Sequence, residues 1–337
     1  MSTLRQDPTT KDWVILAPRR AGRPHRPPEP GRAAPPERDP ECSFCPGNED
    51  RTPPEILRVP EGSPWRVRVF PNLFPAVGHD GDGRRDGVAL FREMQGRGEH
   101  EVVVESPRHD ARLDEMSHDE VTDVLRVWRE RYRRLARRSW VRAVIVFKNF
   151  GPGAGTSLAH PHSQIVAIPV FPASWLRRFA VAIRYYDDTG HNLYDDMIDA
   201  ERAAASRVVA ERGRFLAFEP YASRTPFETT IMPAVHQSSF SQLTDEDTGD
   251  LARLLHDVTG ALREAAGDPD YNLVVTSAPA DDLQRRLVRW HVQILPKLAL
   301  PAGFELGTGM NINPVMPEEA ADALREALAR REATRKE

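Results

Sequence analysis

The chain has 337 residues, with 46 Lys and Arg against 50 Asp and Glu, a net charge of −4, and 40% hydrophobic residues. That length admits one large domain or two of ordinary size, each with a real core, and the near-balanced charge excludes a global pull toward nucleic acid or an anionic membrane. No apolar run approaches the ~20 residues of a membrane span, and the opening "MSTLRQDPTTKDWVIL" has no basic-then-apolar leader, so a cytoplasmic location is expected.

The first strand is predicted in "DWVILAP". It runs into a segment dense in Pro, Arg and Gly that ends in "PECSFCPGNED" and reads as a surface arm. Within it stand the only two cysteines, Cys42 and Cys45, at C-x-x-C spacing. That spacing is too short for a framework disulfide and leaves a metal site, a redox pair or two plain buried thiols; the turn residues of "CPGN" fit a metal knuckle better than the start of a redox helix. "WRVRVFPNLFPAV" and "EHEVVVESPRHD" follow as strands ended by Pro and Asn turns. A helix is predicted from Ser117, which stands in capping-box spacing with Glu120, through Val121, Val124, Leu125, Trp128, Tyr132 and Leu135 at helical intervals. "WVRAVIVFKNF" is then a buried strand, "GPGAGTS" a glycine-rich turn, and "HSQIVAIP" a further strand.

The second half repeats this order. "ETTIMPAVHQ", a capped amphipathic helix from Thr244, "YNLVVTSAP" and "WHVQILP" match the first half element by element, pairing His109 with His236, Ser117 with Thr244, His162 with His291 and Gln164 with Gln293. A duplication follows, and with it an α+β fold of two tandem halves, each an antiparallel sheet with packed helices: residues 1–170, a helical linker over 171–212, and 213–337. Where the first half reads His160-Pro161-His162 the second reads Arg289-Trp290-His291, so one copy is equipped for chemistry and the other is not.

An H-x-H pair alone is a weak signal, since a surface pair arises by chance. Here a strand is expected to place both imidazoles on one face, beside a glycine turn whose amides can approach a phosphate. Imidazole is a good nucleophile toward phosphorus, and a covalent phosphoramidate divides one hard displacement into two easier ones. Gln164 brings uncharged amide donors for phosphate oxygens.

"HPHSQ" resembles the active-site motif of the galactose-1-phosphate uridylyltransferases, the transferase branch of the histidine-triad superfamily. The likeness runs along nearly the whole chain: "DPTTKDWVILAPRRAGRP" is similar to the family's N-terminal arm, "CSFCPGNE" to its zinc loop, "VFPNLFPAV" to its nucleoside-binding strand and "HEVVVESPRH" to the strand before a third zinc ligand. The resemblance implies two histidine-triad-like halves, with His162 attacking the α-phosphorus of a nucleotide sugar (UDP-glucose or ADP-glucose), Gln164 as oxyanion donor, and a sugar 1-phosphate or inorganic phosphate as second substrate. It implies one structural zinc on Cys42, Cys45, His109 and His160, the last also a strut for the strand that presents His162, and a homodimer. It places Arg20 and Arg23 on the nucleotide phosphates, Asn72 on the ribose, and Asn149 and Ser157 on the diphosphate; Phe70 and Phe74 have two readings, walls of the base pocket or core, of which core is the expected one. A second metal is not expected, because Arg289 replaces one histidine of the pair that binds it in some members.

The C-terminal stretch departs from the galactose enzymes. Gly303, Gly309 and Val315 stand where those enzymes carry hexose-reading side chains, and "GFELGTG" with "NINPV" looks like the plant ADP-glucose phosphorylase branch, whose acceptor is inorganic phosphate. The resemblance makes a hexose-1-phosphate nucleotidylyltransferase of the galactose-1-phosphate uridylyltransferase type the leading reading and a nucleotide-sugar phosphorylase the runner-up. Competing readings are a zinc-stabilised nucleotide-binding protein without turnover, against which the His162 and Gln164 pair counts, and a hydrolase, against which the absent third histidine counts.

Overall fold

The protein is described by a computed structural model covering residues 1–22, 35–62, 64–79, 81, 83–278 and 285–335. In chain order the strands are β1 (Thr3–Gln6), β2 (Trp13–Leu16), β3 (Leu57–Val59), β4 (Val67–Pro71), β5 (Arg85–Val88), β6 (Phe91–Met94), β7 (Glu99–Val104), β8 (Ala143–Phe150), β9 (His162–Ile168), β10 (Val208–Arg212), β11 (Phe215–Phe218), β12 (Thr229–Pro233), β13 (Tyr271–Thr276), β14 (His291–Pro296) and β15 (Asn311–Asn313). The α-helices are α1 (His118–Ala136), α2 (Ala173–Thr189), α3 (Leu193–Ala204), α4 (Asp245–Ala266), α5 (Gly303–Thr308) and α6 (Pro317–Thr334).

The duplicated halves build one sheet rather than two. Its ten antiparallel strands run β10-β11-β12-β14-β13-β8-β9-β7-β4-β3, so β4-β7-β9-β8 of the first half mirrors β11-β12-β14-β13 of the second, and the halves meet where β8 pairs with β13. At that seam the rings of Phe150 and Tyr271 stack with centroids 4.9 Å apart. α1 and α4 pack on one face of the sheet, and α6 packs on α4. Both α1 and α4 start as the sequence predicts: Ser117 and Thr244 cap them, each closing a capping box with the third helical residue. Their apolar stripes, including Val121, Leu125, Trp128, Leu251, Leu255 and Val258, meet the helix-facing residues of the strands in a single core.

Alternation along β9 decides which residues are left for chemistry. Ser163, Ile165 and Ala167 are buried, and Trp128 of α1 donates from Nε1 to Ser163 Oγ at 2.7 Å. His162, Gln164 and Val166 therefore turn to the opposite face. The stretch 171–212, expected as a helical linker, contributes α2 and α3, but its last residues form the edge strand β10 and join the sheet. β1 and β2 pair with each other, and β15 adds in parallel to β2, so the N-terminal arm docks on the C-terminal segment. No helix among the described residues is long and apolar enough to cross a membrane.

Candidate active site

Four buried ligand atoms converge ahead of β9. Sγ of Cys42 lies 3.8 Å from His160 Nδ1, and Sγ of Cys45 lies 3.6 Å from both His160 Nδ1 and His109 Nδ1. An N-to-S edge of a zinc tetrahedron, with bonds of about 2.3 Å to sulfur and 2.0–2.1 Å to nitrogen, is about 3.6 Å long. His160 Nε2 faces the Ser106 carbonyl at 2.8 Å, so that nitrogen carries the proton and the Nδ1 lone pair points at the thiols. The backbone N–H of Phe44 points at Cys42 Sγ and that of Asp39 at Cys45 Sγ, both at 3.4 Å. Burial pushes the Cys42 thiol up and the His160 imidazole down to about 4, which favours the uncharged forms of both; a divalent cation would offset this for the sulfurs. The donor set thus fits a four-coordinate metal site. Among the described residues one other group, His118, His256 and Asp257, lies close enough to hold an ion, but Arg335 already bonds both His256 and Asp257.

His160 and His162 do not share a strand, contrary to the sequence expectation. β9 begins at His162; His160 precedes Pro161 and is spent on the cysteines. His162 Nδ1 lies 2.9 Å from the His160 carbonyl, an acceptor, so Nδ1 carries the proton and Nε2 keeps its lone pair. Burial lowers the His162 pKa, only partly opposed by that hydrogen bond, which favours the neutral nucleophilic form at neutral pH. Phe44 of the cysteine loop packs edge-on against the ring with centroids 5.5 Å apart, joining the Cys2His2 cluster to His162.

His162 opens into a cavity of about 220 Å³ that Lys148, Asn149, Gly151 and Thr156 also line. Asn149 Oδ1 accepts from Asn272 Nδ2 at 2.9 Å, so a residue of the second half turns the Asn149 amide N–H groups away from the seam. The glycine turn is built differently from the expectation that its amides wait for phosphate. Gly153 N–H donates to Asp270 Oδ2 at 2.6 Å, and Gly151, at φ +85°, has no room for a Cβ, which would collide with the Asp270 carboxylate.

The other predicted contacts divide. Gln164 and Asn72 come together on the open face, their side chains 3.5 Å apart. Ser157 is exposed and Arg20 lies exposed outside the cavity lining; Arg23 falls outside the described residues. Phe70 is core beside the cysteine loop, but Phe74 is 85% exposed, which corrects its reading as a packed residue. Gly309, at φ +72°, ends α5, whose Phe304 and Leu306 are exposed.

Three polar residues that the sequence reading passed over shape the site. His100 of β7 lies 2.8 Å from Gln164 Oε1. Lys148 of β8 and Glu105, just beyond β7, form a buried pair at 2.5 Å, with Lys148 Nζ 3.4 Å from the His162 carbonyl and Glu105 Oε1 unpartnered. Lys148→Met should therefore cost about 3–5 kcal/mol of unfolding free energy by stranding a buried carboxylate, and removing both charges in Lys148→Met/Glu105→Leu should recover most of it. Denaturant melts of the two variants check this; equal losses in both would show that the pair is not the source.

The second half repeats the tether without the second histidine. His291 Nδ1 lies 3.1 Å from the Arg289 carbonyl, but Arg289 fills the place of His160, donating to the Pro233 carbonyl at 2.7 Å and pairing with Asp195. Burial lowers His291 to about 3.

Comparison with known proteins matches this geometry. The model of the galactose-1-phosphate uridyl transferase N-terminal domain matches residues 1–172, and a domain of unknown function, DUF4921, matches residues 101–336. An ADP-glucose phosphorylase of Arabidopsis thaliana is 34% identical over 96% of this chain and 92% of its own length. A galactose-1-phosphate uridylyltransferase of Thermotoga maritima is 30% identical over 97% and 98%. The crystal structure of an Arabidopsis thaliana ADP-glucose phosphorylase with bound ADP-glucose superposes with a TM-score of 0.85 at 33% identity, covering 97% of this chain and 98% of that one. The tethered histidine, the Cys2His2 cluster and the doubled half-sheet thus sit in a chain that belongs to the galactose-1-phosphate uridylyltransferase family of hexose-1-phosphate nucleotidylyltransferases, which also embraces the ADP-glucose phosphorylases.

Proposed function

We propose that the protein transfers the nucleoside monophosphate of a nucleotide sugar through a covalent intermediate on His162, with inorganic phosphate as its preferred acceptor and ADP-glucose as its preferred donor. The observation that carries the covalent step is the His162 Nδ1 tether to the His160 carbonyl, which leaves Nε2 free toward the cavity. Nε2 attacks the α-phosphorus; the N–P bond forms as the P–O bond to the sugar phosphate breaks, and hexose 1-phosphate departs as a weakly basic anion that needs no proton. An oxygen of the acceptor phosphate then attacks the same phosphorus, the N–P bond breaks and the neutral imidazole returns. The amide N–H groups of Gln164 and Asn149 hold the nonbridging oxygens as charge builds on them. A zinc held by Cys42, Cys45, His109 and His160 supplies structure only, because all four positions are protein ligands.

Catalysis belongs to residues 1–170, while residues 213–337, joined by the linker at 171–212, carry the copy that Arg289 fills. The protein acts as a homodimer. The exposed Val88, Leu90 and Phe91 of the β5–β6 hairpin support this.

The choice of acceptor rests on the higher identity to the phosphorylase and on Gly303, Gly309 and Val315, which offer no side-chain hydrogen bonds to a sugar. Intact-protein mass spectrometry after incubation with ADP-glucose should show an adenylyl adduct that inorganic phosphate discharges. Galactose 1-phosphate and glucose 1-phosphate should accept within about tenfold of each other in kcat/KM, the spread set by ~1.4 kcal/mol. A uridylyl adduct only, inert toward phosphate and with a galactose preference of about a hundredfold or more, would instead establish uridylyl transfer between hexose phosphates, the reading favoured by the Thermotoga maritima relative.

A further inference from the structure

A carboxamide has a donor end and an acceptor end, and Gln164 can serve a phosphate oxygen only if its nitrogen, and not its oxygen, is the end left free on the open face. The surroundings of His100 decide which end that is. His100 sits diagonally from Gln164 across the β7–β9 pair, opposite Val166, on the open face. The backbone N–H of Ala76 donates to His100 Nδ1 at 3.1 Å, so Nδ1 is an acceptor and the ring proton is on Nε2. Nε2 then donates to Gln164 Oε1 at 2.8 Å. Asn72 is oriented in the same way: its Oδ1 accepts the Phe74 N–H at 2.8 Å, and its Nδ2 therefore offers hydrogens toward Gln164 Oε1 at 3.5 Å. With the ring proton on Nε2, the 3.1 Å approach of Asn72 Nδ2 to His100 Nε2 is a contact between two donors and not a hydrogen bond, so the 2.8 Å bond from His100 is the one that fixes Oε1. Flipping the Gln164 amide would set its own N–H groups against them and leave donors facing donors.

We propose that His100 is a positioning residue for nucleotidyl transfer: through its Nε2–H bond to Oε1 it holds Gln164 in the one orientation that presents Nε2 to a phosphoryl oxygen. The inference rests on the role given to Gln164 above. It also explains an imidazole in the strand "EHEVVV" whose ring makes no contact with the cavity beside His162.

The test is single-turnover nucleotidylation of the full-length protein by ADP-glucose and by UDP-glucose, read by intact mass, in His100→Leu, His100→Gln, Gln164→Ala and His100→Leu/Gln164→Ala. His100→Leu should slow adduct formation by about tenfold to a hundredfold with little change in donor Kd, as expected when an oxyanion donor is misaligned while the groups that bind the donor stay in place. His100→Gln, which can still donate to Oε1, should restore most of the rate. The double variant should be no slower than Gln164→Ala alone, because His100 acts only through that amide. An unchanged rate in His100→Leu, or a double variant slowed by the product of the two single effects, overturns the inference. A Gln164→Ala protein that reacts at the normal rate removes the role of Gln164 itself, whatever His100 does. Should His100→Leu fail to fold, a slow His100→Gln protein with an unchanged melt counts against the proposal, and a fast one supports it.

Discussion

His162→Asn should give a folded, metal-containing protein that forms no nucleotide adduct and exchanges no label between nucleotide sugar and sugar 1-phosphate. Among the described residues the side chain makes one hydrogen bond, from Nδ1 to the His160 carbonyl at 2.9 Å, and an asparagine amide can donate to the same oxygen. The edge-on packing against Phe44 goes at little cost to the core, since the ring lies on the cavity side of β9 and not on the helix side. What disappears is the free Nε2 lone pair. An amide nitrogen is not a nucleophile toward phosphorus, and both half-reactions run through the same N–P bond, so their rates should fall by at least about four orders of magnitude, as when a nucleophile is removed from a covalent catalyst. Donor Kd should change little, because Gln164, Asn149 and the cavity walls remain. Label exchange persisting in the variant would mean direct transfer between bound substrates, and the covalent reading would have to be given up.

Much of this site is legible in the sequence because its parts are local. A C-x-x-C turn, an H-P-H followed by a strand, and a glycine turn each declare themselves within a few residues, and the repeat in the second half exposes what Arg289 has replaced. The fold's halves are legible for the same reason: capping boxes at Ser117 and Thr244 and strands of period two are short-range signals. Their fusion into one sheet is not, since the β8–β13 pairing joins residues more than a hundred positions apart that carry no mark of being partners. The β5–β6 hairpin escapes notice because its residues are exposed and show no apolar alternation. β15 escapes because three residues added in parallel to β2 are too few to show a pattern. The polar residues behind the site fail to announce themselves in a more instructive way. Lys148 and Glu105 read as ordinary charges beside Val-rich strands, and only the fold shows that each is buried with the other as its partner. His100 reads as a stray imidazole until the Ala76 amide fixes its tautomer. Such residues act through neighbours brought in from other strands, so their function is written in the register and not in any motif.

Freshly purified active protein should hold about one zinc per chain, as a closed four-ligand site does, and chelating that zinc should lower stability far more than it changes donor affinity. The ligands come from three separated places: the cysteine loop, the turn after β7 that carries His109, and the residue before Pro161. Without a cation these are two thiols and two imidazoles packed in a dry site. The loop that bears Cys42 and Cys45 is otherwise held by a small cluster of Phe44 with Trp65, Phe70, Val102 and Val104, by the Trp65 Nε1–H bond to Glu49 and by the His109 N–H bond to the Glu37 carbonyl, both at 2.8 Å. Apparent zinc affinities of structural sites, roughly 10–16 kcal/mol near neutral pH, exceed what such a cluster contributes, so the loop should detach when the metal leaves. Phe44 then leaves the His162 ring, and His160 loses the bonds that fix the carbonyl holding Nδ1. The adduct-forming rate should therefore fall along with stability, while Kd for the donor, set mainly on the open face by other residues, moves less. Cys42→Ser and Cys45→Ser should each reproduce the loss, since a hydroxyl is a poor ligand beside thiolate and imidazole. Metal analysis, thermal melts with and without a chelator, and donor titration measured on one preparation discriminate the readings. Zinc-free protein with full activity removes the site, and loss of both free thiols on mild oxidation with activity that follows the redox state would make Cys42 and Cys45 a redox pair.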